Sequence, residues 1–477
     1  MRVRSEVSTF VVALAVAAAC VETRGQAMGG GGPAITVAAP AVEVPAAPAG
    51  AGAPSKEPAS LEGVWTVVSM ETDGERVPQE HAGGLRFCFA GKDLEIRLLD
   101  DPVAKSTFEL DTSENPPQIR LTYMGEPTLG IYQLEGDALS ICLGRTVDDP
   151  PTDFATGPDV AGAVLFRLER GDKRPQAAPL LIVNADGTNV RKLDGMPVDL
   201  QAGSPDWSPN GKYLAFDGWR LARGETYGNA HVYVVGVDGK GLKDLGPGAM
   251  PSWSPDSKRL VFCKYGGGMG DDRGVWIMDA DGQNQKHISP DGWGCDWSPK
   301  GDEIVFTLGS GLANLCVYDT VKDESRMLLD SQEYASIYWN LSWSADGKQI
   351  AFKGNRTDGS QEIAVVDARG EQQGFKILVS TEKDKGFKQL SHIVAWDGDQ
   401  NRILSPMRGS EDKLLQIYVL DPTGAKPPQR FPGLDPSRIN REMAWSPDGK
   451  QIVFISQEKK PPQPPAGALA LPPAQLE

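Results

Sequence analysis

The residue types that most often do chemistry are sparse in this chain, and their spacing argues against a catalytic centre. Four histidines occur: His81, His231, His287 and His392. A metal-activated water needs two or three such ligands, and His-Glu-x-x-His, which sets two imidazoles on one helical face, is absent. Scattered histidines are ordinary surface or hydrogen-bonded residues unless a fold gathers them. A serine nucleophile on a Gly-x-Ser-x-Gly elbow is absent too. Asp279-Ala280-Asp281-Gly282-Gln283-Asn284 and Asn184-Ala185-Asp186-Gly187-Thr188-Asn189 have the look of calcium loops. Such a loop ends on a bidentate Glu at its twelfth position, where Pro290 and Gly195 stand instead, so both read as hairpin turns. Gly266-Gly267-Gly268-Met269-Gly270 could cradle a phosphate, but no Lys-Ser/Thr follows and Asp271-Asp272 would repel the anion. Neither a metal nor a cofactor is expected.

The six cysteines are Cys20, Cys88, Cys142, Cys263, Cys295 and Cys316, and none has metal-ligand spacing. The five after Cys20 are too few to scaffold a chain of 477 residues, so buried inert thiols are the ordinary outcome. Cys263 closes an apolar strand and Cys295 opens the next repeat, which leaves a bridge between these two open. Composition narrows the partner. Lys and Arg number 48 against 64 Asp and Glu, so the net charge is 48−64=−16. Phosphate backbones are bound through basic charge, so nucleic acid is excluded as a partner.

A repeat must position whatever function exists. Trp445-Ser446-Pro447-Asp448-Gly449-Lys450 leads into the strand Gln451-Ile452-Val453-Phe454, and related units begin at Trp207, Trp253, Trp297, Trp343 and Trp396. The spacings are 46, 44, 46, 53 and 49 residues. Pro presets a turn, Asp bonds its local backbone and Gly accepts positive φ. Apolar strands flank this turn, and a further pair joined by Asp-Gly completes four strands per unit, the plan of a propeller blade. The unit at Met443–Ser456 supplies two strands. Leu180–Val183 and Val190–Leu193 supply the missing pair, so one blade is shared by both ends of the repeat region. The six tryptophans are assigned to structure, each with an indole N–H that wants a partner.

These repeats resemble the WD-like repeats of the TolB-type six-bladed β-propellers. The expected fold class is all-β: a six-bladed propeller over 178–456, preceded by a smaller β-barrel or sandwich over 59–170. In that front segment, Leu61-x-Gly63-x-Trp65, Gly130-Ile131-Tyr132-x-Leu134-x-Gly136-Asp137-x-Leu139 and Pro151-Thr152-x-Phe154 resemble an uncharacterised lipocalin-like domain of exported planctomycete proteins. An interior able to hold an apolar ligand is one implication. Residues 1–27 read as a secretion signal: Arg2 and Arg4, then an apolar core too short to span a bilayer. Ala17-Ala18-Ala19-Cys20 resembles a lipobox that would acylate Cys20, whereas Gly25-Gln26-Ala27 fits simple export, the expectation adopted. Residues 28–58 read as a Gly/Ala/Pro linker and 457–477 as a disordered Pro-rich tail.

The residues free to carry function lie in variable loops between second and third strands and between blades. Trp219, Tyr227, Trp293, Arg356 and Arg408 are the candidate partner contacts, since aromatic and Arg side chains anchor interfaces on rigid scaffolds. The expected function is therefore an exported, non-enzymatic binding or scaffold protein with an envelope protein or glycan as partner. TolB itself resembles a periplasmic scaffold of the Tol–Pal envelope system, and this chain departs from it in its all-β front domain. Two alternatives stand: a carbohydrate-active lyase or hydrolase with its site in the propeller channel, marked by charged and His side chains converging there, and an apolar-ligand carrier using the front barrel.

Overall fold

The computed structural model describes residues 60–459, except 145–146, 148–149, 158–161, 266–271, 309–312, 331, 339, 371–374, 384–385 and 399–400. The expected secretion signal with Cys20, the linker, the 266–270 loop, Asp271 and most of the Pro-rich tail lie outside the described residues. The chain splits into two compact units.

In the first unit eight strands form a closed barrel: Gly63–Thr72, Leu85–Ala90, Asp93–Leu98, Asp101–Asp111, Gln118–Tyr123, Glu126–Glu135, Ala138–Leu143 and Val164–Arg170. Each pairs antiparallel with the next, and the last returns to the first from Thr66↔Glu169 to Thr72↔Val164. Closure decides the open choice between barrel and sandwich and removes both sheet edges. Apolar side chains at alternate positions, such as Leu94 and Ile96, point inward. They meet Trp65, Phe87, Phe89 and Phe166, with Phe87 and Phe166 ring centroids 5.1 Å apart. Trp65 is fully buried; its indole N–H donates to the Leu61 carbonyl at 2.7 Å, and the Arg170 guanidinium lies 4.1 Å over the ring. These side chains form one continuous hydrophobic cluster. A pocket of about 220 Å³, lined by Val67, Met70, Val77 and Pro78, adjoins the short helix Gln79–Ala82, an element the sequence did not announce.

The second unit is the six-bladed propeller. The first blade runs from Leu200–Trp207 to Lys243–Pro247, the second from Ala249–Trp253 to Lys286–Ser289, and the third from Trp293–Trp297 to Glu324–Leu329. The fourth spans Tyr334–Ile337 to Lys376–Ser380 and the fifth Phe387–Leu390 to Gln429–Arg430. The sixth is shared: Ile439–Trp445 and Gln451–Gln457 pair with Leu180–Asn184 and then Arg191–Lys192. Leu180 faces Ile455 and Val183 faces Ile452 across this seam.

The repeated turn has one chemistry. Ser446 Oγ lies 2.7 Å from Asp448 Oδ1 and accepts the Gln451 N–H at 2.9 Å. Ser254, Ser344 and, with Asn210, Ser208 repeat the arrangement. Gly449 takes φ 64°; Ser257 stands at that place in the second blade and is forced to φ 59°. The six tryptophans are buried, as expected, but their N–H groups divide. Trp297, Trp343 and Trp396 donate to Gly301 O, Asp296 O and Asn401 Oδ1. The N–H groups of Trp207, Trp253 and Trp445 have no partner, which corrects the expectation of one for each. Burial of the ring, not the N–H, is what the repeat conserves in every blade.

Candidate functional site

The innermost strands of all six blades line a central cavity of about 110 Å³. Its wall is set by position relative to each Trp. The residue just before the Trp is Asp206, Ser252, Asp296, Ser342, Ala395 or Ala444. In four blades that side chain accepts the backbone N–H of the next blade's Trp. Asp206 takes Trp253 at 2.7 Å, Ser252 takes Trp297 at 3.2 Å, Asp296 takes Trp343 at 2.9 Å and Ser342 takes Trp396 at 2.9 Å. These are polar staples between the inner strands of adjacent blades. Ser252 also donates to Asp296 Oδ1 at 2.7 Å.

The staples leave carboxyls in a low-dielectric wall. Asp206 and Asp296 face a narrow channel but are ringed by protein. Burial pushes Asp206 up to about 6 and Asp296 up to about 7, the latter with the Asp206 charge adding to it. A second set lies along the same inner strands. Ser204 and Glu442 stand at equivalent places, three before their tryptophans, both at positive φ where the strand bulges. The Ser204 N–H donates to Glu442 Oε2 at 3.0 Å, and His392 Nε2 lies 3.6 Å from Glu442 Oε1. Burial raises the Glu442 carboxyl, but the His392 contact, the Arg441 charge and that N–H outweigh it and hold it below the usual range. Asp217 is fully buried and accepts the Met250 N–H at 2.9 Å; burial, with the Glu442 charge adding, pushes it up to about 7.

Lys353, on the second strand of the fourth blade, adds an amine. It is 2% exposed, its ammonium lies 4.0 Å over the Tyr338 ring, and it bonds Asn355 Oδ1. Burial alone pushes it down to about 8. Tyr338 in turn lies 6.1 Å, ring to ring, from His392. Carboxyl, imidazole, phenol and amine groups from the first, fourth, fifth and sixth blades thus come together around the inner strands. Sequence reasoning missed Asp217 and Lys353, although a signal existed. The position after the second-strand Phe is Asp217, Cys263, Thr307 or Lys353 in four successive blades, a polar or thiol residue where an apolar one packs best.

The predicted contact residues all sit on one edge of the blades, because the ends of second strands pair with the starts of first strands there: Leu200↔Arg220, Trp293↔Thr307, Tyr334↔Arg356 and Phe387↔Gly409. The turn residues Asn189 and Asn284 follow the third strands of their blades, at the opposite edge. Three of the five come together. Trp219, Tyr227, Tyr265 and Trp293 form one aromatic run across three blades, with successive centroids 5.6, 5.3 and 4.6 Å apart. The run packs against the core between blades, so these rings are partly structural and not free loop residues as expected. The Tyr227 hydroxyl is buried without a partner. Arg356 is committed within its own blade to Glu362 at 3.1 Å and Glu333 at 2.6 Å, over the Tyr334 ring. Arg408 sits in the fifth blade with a buried Nε that has no partner. Among the described residues, no ring contact or ion pair joins either Arg to the aromatic run. Among the described residues no group of three metal-binding side chains occurs, and no helix is long and apolar enough to cross a membrane.

Comparison with known proteins agrees with this architecture. The family model of the TolB β-propeller domain matches residues 162–388. An uncharacterised protein of Agrobacterium fabrum is 30% identical over 117 residues, covering 21% of this chain and 38% of its own length. An uncharacterised peptidase of Bacillus subtilis, YuxL, is 28% identical over 149 residues, covering 31% of this chain and 20% of its own. The chain therefore spans well under half the length of either curated relative. Among solved structures, TolB from Acinetobacter baumannii is 15% identical, covers 69% of this chain and 79% of its own, and has a TM-score of 0.39. Oligogalacturonate lyase from Vibrio parahaemolyticus is 13% identical, covers 66% and 96%, and has a TM-score of 0.38.

Proposed function

We propose, starting from the TolB-like six-bladed β-propeller domain that this chain carries, that it is an exported binding or scaffold protein of the cell envelope, with a protein partner. The observation that carries the reading is the aromatic run Trp219–Tyr227–Tyr265–Trp293. It joins three blades along one edge. A partner docking there covers the part-exposed rings of Trp219, Tyr227 and Tyr265, which packing already holds rigid, at little entropic cost. Arg408 and Arg356 extend the same face into the fifth and fourth blades. Affinity capture from an envelope extract of the source cells, with mass spectrometry, identifies the partner. Trp219→Ala with Arg408→Ala then weakens it well beyond tenfold, and Asn284→Ala with Asn189→Ala on the opposite edge leaves it unchanged. The reverse pattern overturns the reading.

A second reading has one observation in its favour. The gathering of His392, Glu442, Asp217, Tyr338 and Lys353 from four blades is what a channel-based lyase or hydrolase of carbohydrate would require. Release of reducing ends or unsaturated products from acidic glycans, abolished by His392→Gln, would establish it. For the front barrel, strand closure and the buried Trp65 under Arg170 support a lipocalin-like domain.

A further inference from the structure

We propose that Cys263 and Cys295 are a disulfide site that staples the second blade to the third. Cys263 lies on the second strand of one blade and Cys295 on the innermost strand of the next, with their sulfurs 3.7 Å apart. Both thiols are buried and free in the structure, 0% and 6% exposed. At the equivalent pair of places the other junctions combine Asp217 with Pro251, Thr307 with Leu341, Lys353 with Val394, Pro406 with Met443 and Ile455 with Pro205. Two of only six cysteines therefore fall on the two positions of a single junction, which chance placement does not favour. Bond formation needs the sulfurs to close to about 2 Å, within reach of side-chain rotation and a small inter-blade shift.

Between these inner strands the Trp297 N–H to Ser252 bond, at 3.2 Å the longest of the four staples, stands beside the Ser252 hydroxyl bond to Asp296 at 2.7 Å. The reaction is a thiol–disulfide exchange. The two S–H bonds are lost, one S–S bond forms, and the electron pair passes to an incoming small-molecule or protein disulfide, whose sulfurs leave as two thiols carrying the protons. Burial raises the Cys295 thiol well above its ordinary range, so it is a poor nucleophile once packed, and both buried sulfurs are out of reach of an exchange partner. Exchange therefore precedes final packing of the two blades, and the finished bond is shielded from reductant.

The test uses the full chain refolded in a mixture of oxidised and reduced glutathione. Thiols are then alkylated in denaturant without reductant, and the digest is analysed by mass spectrometry. The expected result is a Cys263–Cys295 peptide two hydrogens lighter than the sum of its parts, with two fewer alkylated thiols than in a reduced control. Unfolding the oxidised protein in the presence of reductant should lower its melting temperature, and the same treatment should leave a Cys263→Ser, Cys295→Ala double variant unmoved. Full alkylation of both cysteines after oxidative refolding overturns the proposal, and so does a bridge from either one to a different cysteine. The thiol count on the unmutated chain decides the matter even where the variant fails to fold.

Discussion

Asp296 is held by the Trp343 N–H and the Ser252 hydroxyl and opposed by the charge of Asp206. Unfolded, such a carboxyl titrates near about 3.9; in the propeller it is pushed up to about 7. The folded state thus binds the proton more tightly between those values. Its stabilising contribution is complete below about pH 4 and is lost as the pH rises through 7. Asp296→Asn keeps an acceptor for Trp343 and carries no charge. It should raise the melting temperature at pH 8, leave it unchanged near pH 4, and flatten the slope between, as calorimetric melts across that range would show. An unchanged slope would mean that the carboxyl is charged and satisfied at neutral pH. Lys353 has the opposite sign. Its folded value, pushed down to about 8 from 10.5, means the cost of a buried charge is complete below pH 8 and gone above about 10.5. Lys353→Met should stabilise the propeller at pH 7 by roughly 3 kcal/mol, from about 1.4 kcal/mol per pKa unit. A loss of stability on that change would show that Asn355 and Tyr338 hold the ammonium more firmly than burial opposes it.

At the scale of elements, the shared blade decides whether the ring is one cooperative body. Leu180–Asn184 pairs over its whole length with Gln451–Gln457, and Ile182 is completely buried against Val453 and Ile455. Ile182→Ala should cost about 3 kcal/mol, the ordinary penalty for such a cavity. Deleting residues 180–193 should collapse the melt of the whole propeller, because it opens the Gln451–Gln457 edge and bares its apolar face. A melting transition unchanged by the deletion would show that the five internal blades stand without the seam. This element is legible in the sequence: the Trp unit at Met443–Ser456 lacks two strands, and the strand pair before Trp207 lacks a Trp unit. The inner-strand staples are less so. Asp and Ser alternate before four of the tryptophans, but a residue next to a repeated Trp reads as part of the turn, and only the pairing of adjacent blades shows what it bonds.

For the whole molecule, repeat spacing reached the fold and stopped short of the channel. Spacings of 44 to 53 residues between tryptophans specify blades and their number, since each four-stranded unit must bury both faces on its neighbours. The one signal for the buried polar groups, Asp217, Cys263, Thr307 and Lys353 each following the second-strand Phe, is irregular in chemistry and does not name a function. Loop residues were read more fully: the aromatic candidates do adjoin one another, whereas Arg356 is occupied by Glu333 and Glu362 inside its own blade. Tyr227→Phe removes only the buried, unpartnered hydroxyl and keeps the ring in the run. It should stabilise the propeller by about 1 kcal/mol, read as a higher melting temperature, and leave the affinity for a captured partner unchanged. A lower melting temperature would show that the hydroxyl is bonded in the folded chain.

The seam between Leu180 and Ile455 also sets a clock. Its two halves are 455−180=275 residues apart in the chain. At roughly 5–20 residues per second of synthesis, the leading half waits on the order of 15–55 s for its mate. Until then five blades are an open arc, sticky at both ends, and any holdase that recognises bare strand edges has a target. A message cut short anywhere before Gln451 yields a product that never closes, so closure of the ring reports that synthesis has passed this strand.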